Sequence, residues 1–323
     1  MQNNFQKWIE HDENNRAIET LNRYYYENVI KPYLESDKII DLHTHTNFSD
    51  GELSPDKLIR EAIQNRIGTI AITDHDTIRG IQNLDKESQI ILDSGIQIID
   101  GIELTAKSKK GSMHILGYDI DINNQELNNK MSLLRDNAFN ATLSVMEQIK
   151  RDYNIVFKYE DIKNLINSQH NIGRPDLAKL CIKYGYASSV QDAFDKYLNE
   201  ARNKTRSTAT GLPKEECIKL ITASNGIPVL AHPKTLELSE KELLILIKEM
   251  INYGLKGIEV YHSSHTKEEI ELYLSIAKKY NLLISGGSDY HGPLVKPNIN
   301  IGTGENNNLN IKELSLVNYI KNR

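Results

Sequence analysis

The chain has 323 residues, 39% of them hydrophobic and 26% charged, with a formal net charge of −5 at pH 7. That length can bury a large core in one or two domains, and the balance is that of a soluble globular protein. A negative chain is not built to hold nucleic acid through bulk charge, so stable DNA binding is not expected and a phosphorylated substrate must be met by local charge, divalent cations included.

Residues 1–36 read as a helical N-terminal extension. The opening "MQNNFQKWIEHDENNR" is polar and charged, unlike a signal peptide. Trp8, Ile18, Leu21, Tyr25 and Ile30 suggest an amphipathic helix, interrupted near Pro32 and packed on the main domain. A dimer contact or a substrate lid is the sharper alternative, and the oligomeric state is left open. Tyr24–Tyr26 read as packing rather than base-stacking residues. From Lys38 strands and helices alternate. "KIIDL" reads as a strand. "SPDKLIREAIQNR" reads as a helix with Ser54 as N-cap, Pro55 at its first position and Gly68 as its stop. The strand "TIAIT", a helix around 83–94 and the strand "IQIID" follow. This alternation predicts parallel strands with helices outside. Lys107, Lys109 and Lys110 before Gly111 look like a solvated hairpin, and "SMHILGY" like another strand.

The rhythm breaks over 121–211, which reads as an all-helical insertion built on "NQELNNKMSLLRDNAFNATLSVMEQIKRD", "YEDIKNLINS", "RPDLAKLCIKYG" and "SVQDAFDKYLNE". Cys181 lies here and Cys217 beyond it. With no C-x-x-C spacing they argue against a disulfide framework and for a reduced, cytoplasmic setting. Alternation resumes with a helix at Lys214–Ala223 and the strand "IPVLA". The helix "SEKELLILIKEMINYG", the strand "LKGIEV", the helix "TKEEIELYLSIAKKY" and the strand "LLISG" follow. "GENNNLN" reads as a loop. No apolar stretch approaches a membrane span, so no membrane partner is expected. About seven strands over 37–120 and 212–323 suit an α/β barrel-like sheet with its site at the C-terminal strand ends. An open, doubly wound sheet is the alternative.

Chemistry-bearing residues stand at those strand ends. "DLHTHTNFSDG" supplies His43, His45 and Asp50, "AITDHDT" supplies His75, and "IIDGIEL" supplies Glu103. "SMHILGY" supplies His114 from within a strand, "IPVLAHP" supplies His232, and "GGSDYHG" supplies Asp289 and His291. A single His-x-His is a weak motif. A series that returns to the ends of successive strands is what a catalytic metal site needs. Imidazole and carboxylate without thiolate suit Mn, Fe or Zn in a catalytic role better than a structural zinc.

These motifs, together with "GRPD", "AHP" and "GIEVYHSSH", resemble the polymerase-and-histidinol-phosphatase (PHP) family of metal-dependent phosphoesterases, over roughly 39–304. The resemblance implies a distorted seven-stranded β/α barrel, in the branch with a helical insertion. That branch includes nucleoside 3′,5′-bisphosphate phosphatases and short-RNA exonucleases. It also implies two to three divalent ions. His43, His45, Glu103 and Asp289 would hold the first. Glu103 would bridge to a second held with His114 and His232, and Asp50, His75 and His291 would hold a third. A bridging carboxylate sets two cations about 3.5–4 Å apart, the spacing used in phosphate ester hydrolysis. Two departures stand out. Asp176 follows "GRP" where the branch commonly has His, and Ala138 follows Arg135 where a second arginine is common.

The expected activity is hydrolysis of a nucleotide-like 3′,5′-bisphosphate. Alternatives are a 5′→3′ exoribonuclease on short RNA, a histidinol-phosphate phosphatase, and a catalytically weak metal-binding regulatory protein suggested by Asp176. Arg174 is the guanidinium candidate for phosphate, because a planar fork binds two oxygens at once. Asp176 lies beside it, and His262 or His265 is a candidate acid at the leaving group. Asp74 is expected to orient a ligand and Asp76 to cap a helix. Arg202, Lys204 and Arg206 read as a solvated face or an electrostatic lip. His11 and His170 read as surface residues.

Overall fold

A computed structural model describes residues 23–166, 172–205 and 211–323. Trp8, Ile18, Leu21, His11, His170 and Arg206 lie outside them. Seven strands form one sheet in chain order. They are β1 (Ile39–Thr44), β2 (Ile67–Ile72), β3 (Gln97–Ala106) and β4 (Met113–Tyr118), then β5 (Ile227–Leu230), β6 (Gly257–His262) and β7 (Leu283–Gly287). Each falls on an apolar run read from the sequence. The sheet nearly closes, because β7 returns to β1. The Asp289 amide donates to the His43 carbonyl at 2.8 Å, and the His45 amide donates to the Tyr290 carbonyl at 2.9 Å. Gly287 permits that approach, since a Cβ there would stand 2.3 Å from the His43 nitrogen.

One strand departs from the parallel expectation. β4 runs antiparallel to both neighbours, β3 and β5, while all other pairings are parallel. The reason is local: the link from β3 is a short hairpin turning at Gly111 (φ +52°), and a parallel pairing would need a crossover of a dozen residues or more. The reversal sets the start of β4, with His114, at the same barrel end as the finishes of the other strands.

Helices pack outside. α1 (Pro55–Gln64) buries Leu58, Ile59, Ala62 and Ile63, but Ser54 makes no side-chain cap bond. The turn after it is made by Arg66 (φ +62°), not by Gly68, which lies inside β2 against the Lys38 side chain. The helix expected at 83–94 is two short pieces, Arg79–Gln82 and Gln89–Ser94. α2 (Gln125–Tyr153), α3 (Tyr159–Ile166) and α4 (Arg174–Lys183) come next. Val190–Ala193, Phe194–Leu198 and Asn199–Lys204 then run on as one helix with a π turn in the middle. These helices share their own apolar cluster, with Val145, Ile149, Leu177, Cys181 and Leu198 at its heart. α5 (Lys214–Ala223), α6 (Glu240–Tyr253) and α7 (Lys267–Tyr280) return to the barrel, and Ser239 and Thr266 start the last two with capping boxes. A two-strand ribbon (Ile299–Asn300 with Gly304–Glu305) and α8 (Ser315–Lys321) end the chain and were not foreseen.

Near the start, helix runs through Pro32 rather than stopping. A π turn at Tyr26–Ile30 precedes it, widening the helix where a proline ring would crowd the previous turn. Ile30 and Tyr33 are buried against the barrel, and the Tyr33 hydroxyl donates to the Ile67 carbonyl at 3.0 Å. Tyr24 and Tyr26 are exposed, and only Tyr25 of that trio packs on the core.

Candidate metal centre

The strand ends bring the nine sequence-identified donors together. Glu103, on β3, is fully buried at the centre. Its two oxygens face different partners. Oε2 lies 3.1 Å from His43 Nε2, 3.3 Å from His45 Nε2 and 3.2 Å from His75 Nδ1. Oε1 lies 2.9 Å from His114 Nδ1 and 2.8 Å from His232 Nε2. Asp289 Oδ1 is 3.2 Å from His45 Nε2, and Asp50 Oδ1 is 3.2 Å from His291 Nε2. Donor atoms converge within 4.8 Å in several overlapping groups, among them His43, His45 and Asp289; His43, Glu103 and His232; and His45, Asp50, His75 and His291.

Tautomers show what the nest is shaped for. A carboxylate only accepts, so His43 Nδ1 donates to Glu259 Oε1 at 2.9 Å. His291 Nδ1 donates to the Asp289 carbonyl at 2.8 Å. His232 Nδ1 donates to Thr235 Oγ1 at 2.8 Å, the hydroxyl itself donating to the Ser112 carbonyl. Each ring therefore turns an Nε2 lone pair toward carboxylate oxygen. Lone pairs facing one another in a buried site are reconciled only by a cation between them, a proton or a metal ion. The His45 ring, buried, makes no hydrogen bond through either nitrogen. This donor set fits divalent metal.

The electrostatics agree. Burial opposes a charge on His45, yet Asp289 and Glu103 raise it to about 9. Burial opposes the His43 proton too, and Glu259 and Glu103 still hold its pKa well above the ordinary value. Burial resists ionisation of Glu103, but the surrounding imidazoles keep it well below the usual carboxylate range.

Residues around the nest hold it. Glu259 went unnoticed in the sequence, although an acidic residue inside an apolar parallel strand is itself a signal. It accepts from His43 and, through Oε2, from the His232 amide at 2.7 Å, and His43 brings it down to about 2 against the cost of burial. Asp41 is the same kind of residue on β1. It accepts from the amides of Ser288 and Gly302 at 2.8 and 2.7 Å and from the Ser288 hydroxyl at 2.6 Å. Asp74 fixes the turn that carries His45 and Asp50 by accepting from the Thr46 amide and the Ser49 hydroxyl, both at 2.7 Å. Asp76 caps no helix. It accepts from the Thr105 amide and hydroxyl at 2.9 and 2.7 Å. Asp76, His232 and Asp289 all have positive φ, and such strained backbone is characteristic of functional sites.

A cavity of about 1110 Å³ opens beside the nest. Asp50 and His75 line it, as do Arg135, Arg174, Asp176 and Lys179. Arg174 stacks over Phe194 at 5.2 Å. Among the described residues, neither Arg135 nor Arg174 forms an ion pair. Asp176 Oδ2 accepts from the Gly173 amide at 2.9 Å, capping the start of α4. His265 does not reach the cavity. Its Nδ1 donates to the Val260 carbonyl at 2.8 Å, its ring packs on Tyr273, and burial lowers it to about 4. His262 Nε2 lies 3.5 Å from Asp289 Oδ2. Lys204 is paired with Asp152 and Glu200. Lys110 reaches Glu242 from the exposed hairpin.

Comparison with known proteins agrees with this geometry. The PHP domain family matches residues 41–288. The 5′-3′ exoribonuclease Rnm of Salmonella typhimurium is 32% identical over 258 residues, 79% of this chain and 86% of that protein. The 3′,5′-nucleoside bisphosphate phosphatase of Chromobacterium violaceum is 25% identical over 79% of this chain and 87% of its own. A solved structure from Bifidobacterium adolescentis, assigned as a metal-dependent phosphoesterase, superposes with a TM-score of 0.70 at 28% identity, covering 88% of this chain and 96% of that one. With its nest of imidazole and carboxylate donors at the mouth of a seven-stranded barrel, the chain belongs to the PHP family and is a metal-dependent phosphoesterase.

Proposed function

We propose that the chain hydrolyses a phosphate ester of a nucleotide-like substrate, a nucleoside 3′,5′-bisphosphate being the smallest that spans the site. The observation that carries this reading is that one cavity is lined both by Asp50 and His75 of the metal nest and by Arg135 and Arg174, neither of which forms an ion pair among the described residues. One phosphate meets the nest and the second meets the arginines. Histidinol phosphate carries a single phosphate and would leave the arginines unused.

The proposed ligands are His43, His45, Glu103 and Asp289 for one ion, Glu103, His114 and His232 for a second, and Asp50, His75 and His291 for a third. Mn, Fe or Zn suits this mixed set of donors. Bound there, such cations supply Lewis acidity and a water acidic enough to act near neutral pH. The chain's own residues do the rest. Glu259 keeps the His43 proton on Nδ1 and so aims Nε2 inward. Arg174 offers a planar fork to the second phosphate. Asp176, satisfied by the helix start, keeps the segment carrying Arg174 in place rather than facing the anion as a bare charge. His265 acts as a positioning residue behind His262.

The same reading takes 37–120 and 212–323 as the barrel, 121–211 as a helical insertion that supplies the two arginines, and 1–36 as an extension. No helix among the described residues is long and apolar enough to cross a membrane. Cys181 and Cys217, buried and unpaired, support a cytoplasmic setting.

A second reading, a 5′→3′ exoribonuclease on short RNA, is favoured by the cavity, which exceeds the roughly 300–1,000 Å³ typical of a small-ligand site. Purified protein supplied with Mn²⁺ should be given a nucleoside 3′,5′-bisphosphate and a 5′-phosphorylated oligoribonucleotide. Inorganic phosphate from the first is the expected result. Mononucleotides from the second would move the assignment to the exonuclease. No turnover of either, with metal bound stoichiometrically, would refute both.

A further inference from the structure

The cavity also carries apolar lining residues that neither the metal nest nor the arginines explain. Leu294 is 83% exposed, more than any other large hydrophobic residue among those described, and it lines this cavity. Val295 beside it is 40% exposed, and Leu133, on α2, is 52% exposed and lines the same space. Scattered apolar residues on a surface need no explanation, but several gathered in one pocket do.

Nor is Leu294 exposed because its loop is loose. The Leu294 amide donates to Glu52 Oε2 at 3.0 Å, two residues beyond Asp50. The Lys296 ammonium lies 2.5 Å from Asp289 Oδ2. Between these pins, the amides of Val295 and Lys296 both donate to the Gly292 carbonyl, closing a tight turn. The backbone is held on both sides of the Leu294 side chain, by residues adjoining or belonging to the nest, and the side chain is presented to the cavity.

We propose that Leu294, Val295 and Leu133 form the subsite for the nucleobase, an aliphatic surface against which the planar base lies. This rests on the reading of the substrate as nucleotide-like and deepens it. The three kinds of lining residue, metal-ligand donors, free guanidinium groups and aliphatic side chains, match the three parts of a nucleoside bisphosphate: reacting phosphate, second phosphate and base. Aliphatic contact covers the face of any base, so this surface contributes affinity without choosing between purine and pyrimidine.

The test compares a nucleoside 3′,5′-bisphosphate with its base-free analogue, 1-deoxyribose 3,5-bisphosphate. Leu294→Ala and Leu133→Ala remove exposed side chains and should leave Tm and metal content unchanged. The expected result is a rise of about tenfold in KM for the nucleotide with kcat nearly constant, and no change for the analogue. Calorimetric binding of both compounds to wild type, with and without Mn²⁺, makes the test independent of turnover. The nucleotide should bind more tightly than the analogue, and the two variants should erase the difference. Equal affinity of wild type for the two compounds, or variants that affect both alike, would overturn the subsite. Failure of wild type to hydrolyse either, while still binding the nucleotide better, would sink the proposed activity and leave the base subsite standing.

Discussion

At the scale of single residues, Glu103 decides the site. Fully buried, it faces five imidazoles, three through Oε2 and two through Oε1. Glu103→Gln should abolish metal-dependent hydrolysis and lower ion stoichiometry while far-UV circular dichroism stays native. His43→Ala, His75→Ala and Asp289→Ala should do likewise, and full activity in any of them would reassign that residue. Lys296 makes the opposite prediction. An ammonium held on Asp289 stands roughly 5 Å from any ion on the other oxygen, where like-charge repulsion is several kcal/mol even at an effective dielectric of about 20. Solvent reduces this, since Lys296 is 37% exposed. Lys296→Met should still tighten Mn²⁺ binding by about tenfold or more in calorimetry, and Lys296→Arg should not. Protons enter through His45. Its pKa in the folded chain is raised to about 9 from an ordinary value of about 6.5. In metal-stripped protein that proton stabilises the fold fully below about pH 6.5, and the contribution is lost as pH rises through about 9. Differential scanning calorimetry should show Tm of the stripped protein falling across that window, with a flatter profile once metal has displaced the proton.

At the scale of elements, what could be read in advance was what repeats. All seven strands were legible because each is a short apolar run, five of them leading to a proposed ligand at or just past the end, and α1 and α5 to α7 because their apolar positions recur at helical spacing. Most of what escaped depends on a partner far along the chain, the direction of β4 excepted. The direction of β4 is set by the hairpin before it, and no periodicity within "SMHILGY" encodes direction. Asp41 and Glu259 were passed over because each sits within an apolar run, and their role appears only when β1, β6 and β7 lie side by side. His265 read as a candidate acid at the leaving group because it follows a strand, but the turn after β6 folds it back onto α7. The barrel seam offers a test at this scale. A methyl group at Gly287 would meet the His43 backbone at 2.3 Å, with nothing flexible to give way. Gly287→Ala should open the β1–β7 pairing and cost several kcal/mol, read as a lower urea midpoint together with loss of metal binding. Gly95→Ala serves as the control, since a Cβ there meets nothing within 4 Å. Its positive φ alone should cost only about 1 kcal/mol.

At the scale of the molecule, metal and fold are linked. Nine donors from six strand ends meet in one place, so ions that bind the folded chain and not the unfolded one must stabilise it by mass action. Chelation should lower Tm by several degrees, and Mn²⁺ should restore it in a concentration-dependent way. The backward run of β4 has a consequence for the whole molecule as well. The strand finishes at Tyr118, paired with Gly101 and Ile227, on the floor of the barrel away from the active end. The polypeptide must climb back from there, and α2, with 29 residues at about 1.5 Å each, has the reach to do so in a single rigid span. Arg135 and Leu133 thus stand like fittings on a mast stepped at the far end of the protein, and their height above the ions is counted in helical turns. Four residues deleted between its foot and Leu133 would lower them by about 6 Å and swing them around the axis, re-gauging the distance between the arginine and the donor nest without altering one donor.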